Sequence, residues 1–207
     1  MDNTLLNGRF IDTCAKHYGF KNDLLDLRTS KSDPVILTKR IVVLLKGKTQ
    51  TELLGLANSI PLVPDAAEVV GKLKKRGYLT DIISDSYLLV ANLIKQKAGI
   101  DFALANELEF SKGICTGGVK LPSFFFNNPK SICKHPMCKT NAVLTLLEKH
   151  NLSIENTIDI GDSHNDLCMI KQAGLGMAFR SKDELLYHYA DITVDDNSFA
   201  ILIDEAR

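Results

Sequence analysis

Short apolar segments alternate with amphipathic helical segments along most of this 207-residue chain. Apolar segments at 78–83, 156–160, 175–179 and 191–194 have the length of strands, and the stretches between them carry apolar residues at helical spacing. Parallel strands need a crossover of about a dozen residues, usually a helix, and this pattern provides it. The sequence therefore predicts an α/β fold with a Rossmann-like parallel sheet.

Two parts of the chain depart from that alternation. The apolar segments on either side of Ser111-Lys112-Gly113 predict a β-hairpin, because the break between them is rich in turn-forming residues. Residues 10–59 show only helical spacing with polar or glycine breaks. We expect a helical cap of residues 10–60, inserted into a core made of residues 1–9 and 61–207.

Composition argues against nucleic acids and membranes as binding partners. Lysine plus arginine and aspartate plus glutamate both number 25, so the net charge is zero, which argues against nucleic-acid binding by bulk positive charge. No apolar run approaches the roughly 18 residues of a membrane helix. The five cysteines are odd in number and scattered, and no signal peptide precedes them. We expect a cytoplasmic monomer or homodimer with no membrane or nucleic-acid partner.

The stretch IDIGDSHND places two acids close together after an apolar strand. Asp162 and Asp166 are four residues apart and, at the start of a helix, would share one face. A hard divalent cation such as Mg²⁺ would relieve their repulsion. Acids at a helix N-terminus are also favoured by the helix dipole and by capping, so the spacing alone leaves both interpretations open.

Two further positions indicate anion binding, each with an ordinary alternative. Ser84 follows an apolar strand, where a hydroxyl and helix amides suit a phosphate; it is equally an N-cap serine. Lys139 lies at the start of a helix, where the dipole disfavours a cation. That lysine needs either solvent or an anionic partner.

The order of these features resembles a known family. An acidic turn at residues 2–4 precedes Ser84, then Lys139, then GDSHND. This order resembles the haloacid dehalogenase superfamily of phosphohydrolases, in the branch with a small helical cap that is similar to phosphoserine phosphatase. The hairpin LANELEFSKGICTGGV resembles the hairpin of that branch.

The resemblance implies a Mg²⁺-dependent phosphomonoesterase acting on a small phosphorylated metabolite. It implies that Asp2 is the general acid/base and gives its backbone carbonyl to Mg²⁺. Asp162 would bind the metal directly, with Asp166 beside or behind it. The residues implied to hold the phosphoryl group, or the loop around it, are Thr4, Ser84, Lys139 and Asn165; Lys139 is also catalytic.

The first motif of the family reads D-x-D-x-T, and Asp2, Asn3 and Thr4 match its second half. The nucleophilic aspartate is therefore expected just upstream of Met1, on an apolar strand. We expect this 207-residue chain not to form the aspartyl-phosphate. The alternative is a catalytically inactive relative that binds a phosphometabolite. A phosphoacceptor receiver domain is disfavoured, because receivers are shorter and have no cap.

Two arginines bear on the substrate. Arg9 stands where phosphoserine phosphatases have an acidic residue that reads the substrate amine, and Arg40 matches a cap arginine that pairs with the substrate carboxylate. We expect an anionic metabolite without a recognised amine. The C-x-H-x-x-C cluster at 133–138 is not interpreted as a zinc site, because no second ligand pair stands at recognisable spacing.

Overall fold

The computed structural model describes residues 1–30 and 32–206, and it confirms the helical prediction for the first part of the chain. Four helices occur there: α1 (Phe10–Tyr18), α2 (Lys21–Thr29), α3 (Pro34–Val43) and α4 (Gln50–Ser59). Capping explains why α4 starts where it does, because the Thr49 hydroxyl and the Glu52 carboxylate satisfy each other's backbone N–H groups. The division into a cap of residues 10–60 and a core stays a prediction.

Strands and helices alternate from residue 66 onward, as predicted. The elements are α5 (Ala66–Lys75), β1 (Asp81–Tyr87), α6 (Leu88–Ala98), β2 (Phe102–Ser111), β3 (Ile114–Lys120), α7 (Lys139–His150), β4 (Ile158–Gly161), α8 (Leu167–Gln172), β5 (Leu175–Phe179), α9 (Glu184–Tyr189), β6 (Ile192–Val194) and α10 (Ile201–Glu205). Within the described part of the chain, no helix has both the length and the apolar character that crossing a bilayer requires.

The strands form two three-stranded sheets, in the orders β1-β2-β3 and β4-β5-β6. β1 and β2 are parallel, and β4, β5 and β6 are all parallel to one another. β2 and β3 pair in the antiparallel direction as the predicted hairpin. The predicted α/β class with parallel strands is confirmed.

The sheet of β4, β5 and β6 is buried on both faces. Met177 and Phe179 of β5 belong to a core cluster with residues of α5 and α10, whereas Ala178 packs with Ile170 and Leu186 from the helices on the other side. Alternate residues of a strand point to opposite faces, so β5 contributes to both layers. Helices on both faces are typical of parallel sheets.

The hairpin turn has the chemistry that its sequence predicts. Lys112 and Gly113 have φ of 49° and 77°, so both central residues of the turn are left-handed, as a type I′ turn requires. The hairpin is fastened to the connection between α3 and α4, because Gly47 N donates to Cys115 O at 2.8 Å and Gln50 N donates to Gly113 O at 2.9 Å.

A cavity of about 730 Å³ lies between the two sheets, and we call it the slot. Consecutive residues of β1 (81–83) and of β4 (158–160) line it, together with apolar side chains of α5 and α7. Consecutive strand residues point to alternate faces, so both strands meet the slot edge-on. In the described chain β1 pairs only with β2 and β4 only with β5, which leaves both of these edges without a strand partner.

Two element boundaries differ from the sequence prediction. The strand predicted at 78–83 is β1 at Asp81–Tyr87, because Thr80 is held by the Asp101 carboxylate and the ladder with β2 starts one residue later. The helix predicted from Asp162 begins only at Leu167, after a 3₁₀ turn at His164–Asp166. The Asp166 side chain accepts from the N–H groups that precede this turn and so holds them as a loop.

Candidate functional site

Four segments bring the predicted site residues other than Arg40 together. The loop at residues 2–8 is held against residues 61–63, since Val63 N donates to Leu5 O at 2.9 Å and Asn7 N donates to Pro61 O at 2.8 Å. The other three segments are the second half of β1, the loop after β4 and the start of α7. Ligands of parallel α/β sheets bind beyond the carboxyl ends of the strands, which favours this place for a site.

Asp162 is the point where the first loop meets β4. Its Oδ1 accepts from Thr4 Oγ1 at 3.2 Å, and its Oδ2 lies 3.6 Å from an Arg9 nitrogen. The Asn3 amide lies between these groups: with its oxygen turned toward Arg9, it accepts from Nε at 2.7 Å. Only 11% of the Asp162 side chain is exposed. The carboxylate is therefore held in place by neighbours that are 150 or more residues away in the chain.

Asp166 organises the loop that carries Asp162. Its Oδ2 accepts from Asp162 N and Ser163 N, both at 3.1 Å, and from Ser163 Oγ at 3.2 Å. A Cβ at Gly161 would lie 2.3 Å from the Asp166 Cβ, so only glycine allows this close approach. Asp162 and Asp166 do not share a helix face, which corrects the sequence prediction: one is presented toward the site and the other supports it from behind.

Lys139 is buried between two carboxylates. Its Nζ lies 2.6 Å from Asp166 Oδ1 and 3.7 Å from Asp85 Oδ1. Burial alone would lower the pKa of Lys139, but the Asp166 and Asp85 carboxylates outweigh it and hold the pKa above its ordinary value. Lys139 therefore stands at the N-terminus of α7 because it has anionic partners there, and not because it is exposed to solvent.

Asp85 is a member of this site that the sequence reasoning did not include. Its Oδ2 accepts from Asn165 Nδ2 at 2.7 Å, which joins the end of β1 to the 3₁₀ turn after β4. Burial opposes ionisation of Asp85, but the Lys139 charge and the Asn165 amide lower its pKa below the ordinary value. Its position directly after Ser84 was the only signal in the sequence.

Asp2 caps the first helix. Its Oδ1 accepts from Phe10 N, the first N–H of α1, at 3.0 Å, although nothing in the sequence pairs these residues. Burial raises the pKa of Asp2, and this helix N–H and the Ser86 hydroxyl partly oppose the rise. A carboxyl group with a raised pKa is suited to giving and taking protons near neutral pH.

Of the two remaining predicted residues, Ser84 lies at the site and Arg40 lies outside it. Ser84 is buried and its Oγ accepts from Ser86 N at 3.2 Å, in an irregular part of β1 where the ladder with β2 shifts register. Ser84 thus lies inside β1 and does not cap α6, so the N-cap alternative is wrong and its phosphate contact stays a prediction. Arg40 lies on α3 and donates to Ser32 Oγ at 3.4 Å, and no described contact joins it to the other site residues.

The donor set suits a hard divalent cation. Asp162 provides a carboxylate oxygen and Asp2 its backbone carbonyl oxygen, and the Thr4 hydroxyl contacts both groups. Both Asp166 oxygens are already occupied, one by Lys139 and one by the loop, so Asp166 stands behind the metal ligands in this arrangement. Whether these residues bind Mg²⁺ stays a prediction.

Comparison with known proteins gives a consistent set of relatives. A family model described as haloacid dehalogenase-like hydrolase matches residues 122–200. The phosphoserine phosphatase of Methanocaldococcus jannaschii is 30% identical over 203 residues, which cover 94% of this chain and 89% of that protein. The phosphoserine phosphatase of Archaeoglobus fulgidus is 32% identical over 189 residues, and the chain spans 52% of its length.

Solved structures give the same result for the fold. A phosphoserine phosphatase solved as a phospho-aspartyl intermediate analogue superposes with a TM-score of 0.83 at 26% identity, covering 100% of this chain and 96% of that one. A substrate-bound phosphoserine phosphatase complex gives a TM-score of 0.82 at 26% identity, with 100% and 95% coverage. The chain has the fold of these phosphatases along its whole length.

Proposed function

Because the chain belongs to the haloacid dehalogenase-like hydrolases, in the phosphoserine phosphatase-like branch of phosphoric monoester hydrolases, we propose that it is a Mg²⁺-dependent phosphatase of a small phosphorylated metabolite. The observation that carries this proposal is the cluster of Thr4, Arg9 and Asp162 beside the Lys139–Asp166 pair. It places fixed positive charge and the Asp162 carboxylate together at the ends of parallel strands, as phosphoryl transfer requires.

The chemistry assigned to this site has two steps. A carboxylate attacks phosphorus, the phosphorus–oxygen ester bond breaks, and the leaving alkoxide takes a proton from Asp2. Water then attacks the aspartyl-phosphate, gives its proton back to Asp2, and releases inorganic phosphate. The raised pKa of Asp2 favours both transfers, and the Lys139 charge balances the phosphoryl oxygens.

The nucleophile is assigned to a strand that occupies the slot. The facing edges of β1 and β4 offer backbone groups on both sides, and the apolar lining from α5 and α7 suits a strand that is buried on both faces. Met1 and Thr4 line the slot as well, so a strand leading into Met1 would end beside Asp162 and Lys139. In this proposal a carboxylate at the end of such a strand attacks the phosphorus.

Mg²⁺ is assigned to the Asp162 carboxylate and to the Asp2 backbone carbonyl. When bound, the ion would draw charge from the phosphoryl oxygens, which is its usual task in phosphoryl transfer. Arg9 is 3.6 Å from Asp162 and 39% exposed, so its guanidinium is free to turn toward a substrate once another cation neutralises Asp162. A cytoplasmic location and a monomeric or dimeric state are parts of the proposal that rest on the sequence.

The substrate is assigned to anionic metabolites that lack a recognised amine. The relatives are named phosphoserine phosphatases, but the cation Arg9 lies beside Asp162 in this chain. An ammonium group on the substrate would be repelled there, whereas a carboxylate would be attracted. A strong preference for phosphoserine over amine-free phosphate esters, measured as kcat/KM on the active protein, would contradict this part of the proposal.

Binding of inorganic phosphate tests the site without requiring turnover. We expect titration calorimetry on the 207-residue chain to show phosphate binding that is tighter with Mg²⁺ present. Asp162→Asn should weaken the Mg²⁺-dependent part by at least about tenfold, because it removes the carboxylate charge at the metal position. Asp204→Asn, at an exposed position of α10, is the matched control. Equal binding by both variants would contradict the proposal.

A further inference from the structure

A second cluster of metal-binding side chains lies outside the site described above. The side chains are those of Cys133, His135, Cys138 and Cys168, and their ligand atoms all lie within 4.8 Å of one another. Cys133 Sγ lies 2.8 Å from His135 Nδ1 and 3.5 Å from Cys168 Sγ, and Cys168 Sγ lies 3.5 Å from His135 Nδ1. Three residues come from the loop before α7 and the fourth from the first turn of α8.

We propose that these four side chains bind one structural Zn²⁺ ion. Zinc–sulfur bonds of about 2.3 Å and zinc–nitrogen bonds of about 2.0 Å, in tetrahedral geometry, place neighbouring ligand atoms about 3.5–3.8 Å apart. The separations in the cluster lie on both sides of this range, so small side-chain rotations bring the four atoms into place. Three thiolates and one imidazole are a ligand set that selects zinc over Mg²⁺.

The fold brings in Cys168 as a fourth ligand, which the spacing along the sequence does not predict. The C-x-H-x-x-C segment offers three ligands, and no second pair follows at the usual spacing. Cys168 stands 30 residues after Cys138 and reaches the same place because α7 and α8 are packed neighbours. With four protein ligands the coordination is closed, which is typical of structural zinc and leaves no position for a catalytic water.

The location of the ligands gives the ion a positioning role. Cys138 directly precedes Lys139, and Cys168 follows Asp166 by two residues, so the ion would join the two segments that hold the buried ion pair. Residues 126–138, which carry three ligands, contain no helix or strand. A chain segment without regular structure gains order from a metal cross-link more than a helix does. Zinc would therefore hold the segment that leads into Lys139 in one conformation.

Metal analysis of the reduced, full-length chain tests the proposal. We expect elemental analysis after dialysis against Zn²⁺ and then metal-free buffer to find about one zinc ion per chain. Co²⁺ added to the metal-free chain should give the intense visible bands of a tetrahedral ion and near-ultraviolet thiolate bands. Cys133→Ser and Cys168→Ser should each lower the zinc content to below about a tenth of an ion per chain.

Matched variants separate the cluster from the rest of the protein. Cys115→Ser removes a buried thiol of β3 outside the cluster, and Asp162→Asn alters the other candidate metal site; both should keep the zinc. His135→Asn changes an exposed ligand, so it tests the site even if the cysteine variants fail to fold. Zinc below a tenth of an ion in the unmutated chain, a Cys133–Cys168 disulfide in its place, or full zinc in His135→Asn with an unchanged cobalt spectrum would overturn the proposal.

Discussion

Lys139 Nζ lies 2.6 Å from Asp166 Oδ1, and the two side chains are only 9% and 3% exposed. This pair joins the start of α7 to the loop after β4, so one buried contact sets the relative position of two motifs that are 27 residues apart. The remaining Asp166 oxygen holds the loop of Asp162. The charge that would face a phosphoryl group and the carboxylate that would face a metal are thus parts of one network.

Breaking this pair should be costly. Lys139→Met leaves the Asp166 carboxylate buried with only its loop donors, and we expect a loss of about 3–5 kcal/mol in the free energy of unfolding. Urea denaturation measures it. Lys72→Met breaks the exposed Lys72–Glu68 pair of α5 and should cost no more than about 1 kcal/mol. Equal losses in the two variants would show that burial of the pair contributes nothing.

A methyl group at Gly161 should disrupt the site, because its Cβ would lie 2.3 Å from the Asp166 Cβ. We expect Gly161→Ala to lower the free energy of unfolding by at least about 2 kcal/mol, as backbone shifts in packed regions do. Gly71→Ala is the matched control: it lies within α5 with open space around it, and it should be neutral or stabilising by up to about 1 kcal/mol. A tolerated Gly161→Ala would contradict the described packing.

The slot should make stability depend on pH. Burial, with a smaller contribution from the Asp81 carboxylate, raises the pKa of Asp159 from 3.8 to about 8. The folded chain then binds more protons than the unfolded chain between these values, so the free energy of unfolding falls as pH rises from 4 to 8. Titration of one such group changes the free energy of unfolding by at most about 1.4 kcal/mol per pH unit.

Asp159→Asn tests this dependence, because an amide does not titrate. We expect the slope of stability against pH between 4 and 8 to become shallower in Asp159→Asn and to stay unchanged in Asp204→Asn, whose side chain is exposed. Chemical denaturation at a series of pH values measures both slopes. An unchanged slope in Asp159→Asn would show that another group causes the pH dependence of stability.

Much of the fold could be predicted because the local signals agree with the tertiary structure. The hairpin at Lys112-Gly113 is the clearest case: the turn residues and the flanking apolar segments require the same geometry. The boundaries of β1 were not predictable, since they depend on Asp101, which lies 21 residues from Thr80 in the chain.

The site could be predicted only where a residue departs from its local preference. Lys139 did so, because a lysine at a helix N-terminus needs a partner, and the fold provides Asp166. Asp85 and Cys168 gave no such signal. Their roles come from neighbours 54 and 35 residues away, Lys139 and Cys133, and spacing along the chain does not encode those contacts.

The proposed phosphatase chemistry needs a carboxylate nucleophile in the slot beside Asp162 and Lys139. The direct measurement is Mg²⁺-dependent release of phosphate from an aryl phosphate by three proteins: the 207-residue chain, the chain extended by an apolar strand ending in aspartate, and the same extension ending in asparagine. We expect hydrolysis only with the aspartate, and a rate at least about a thousandfold lower with asparagine. Equal Mg²⁺-dependent hydrolysis by all three proteins would contradict the proposed role of this carboxylate.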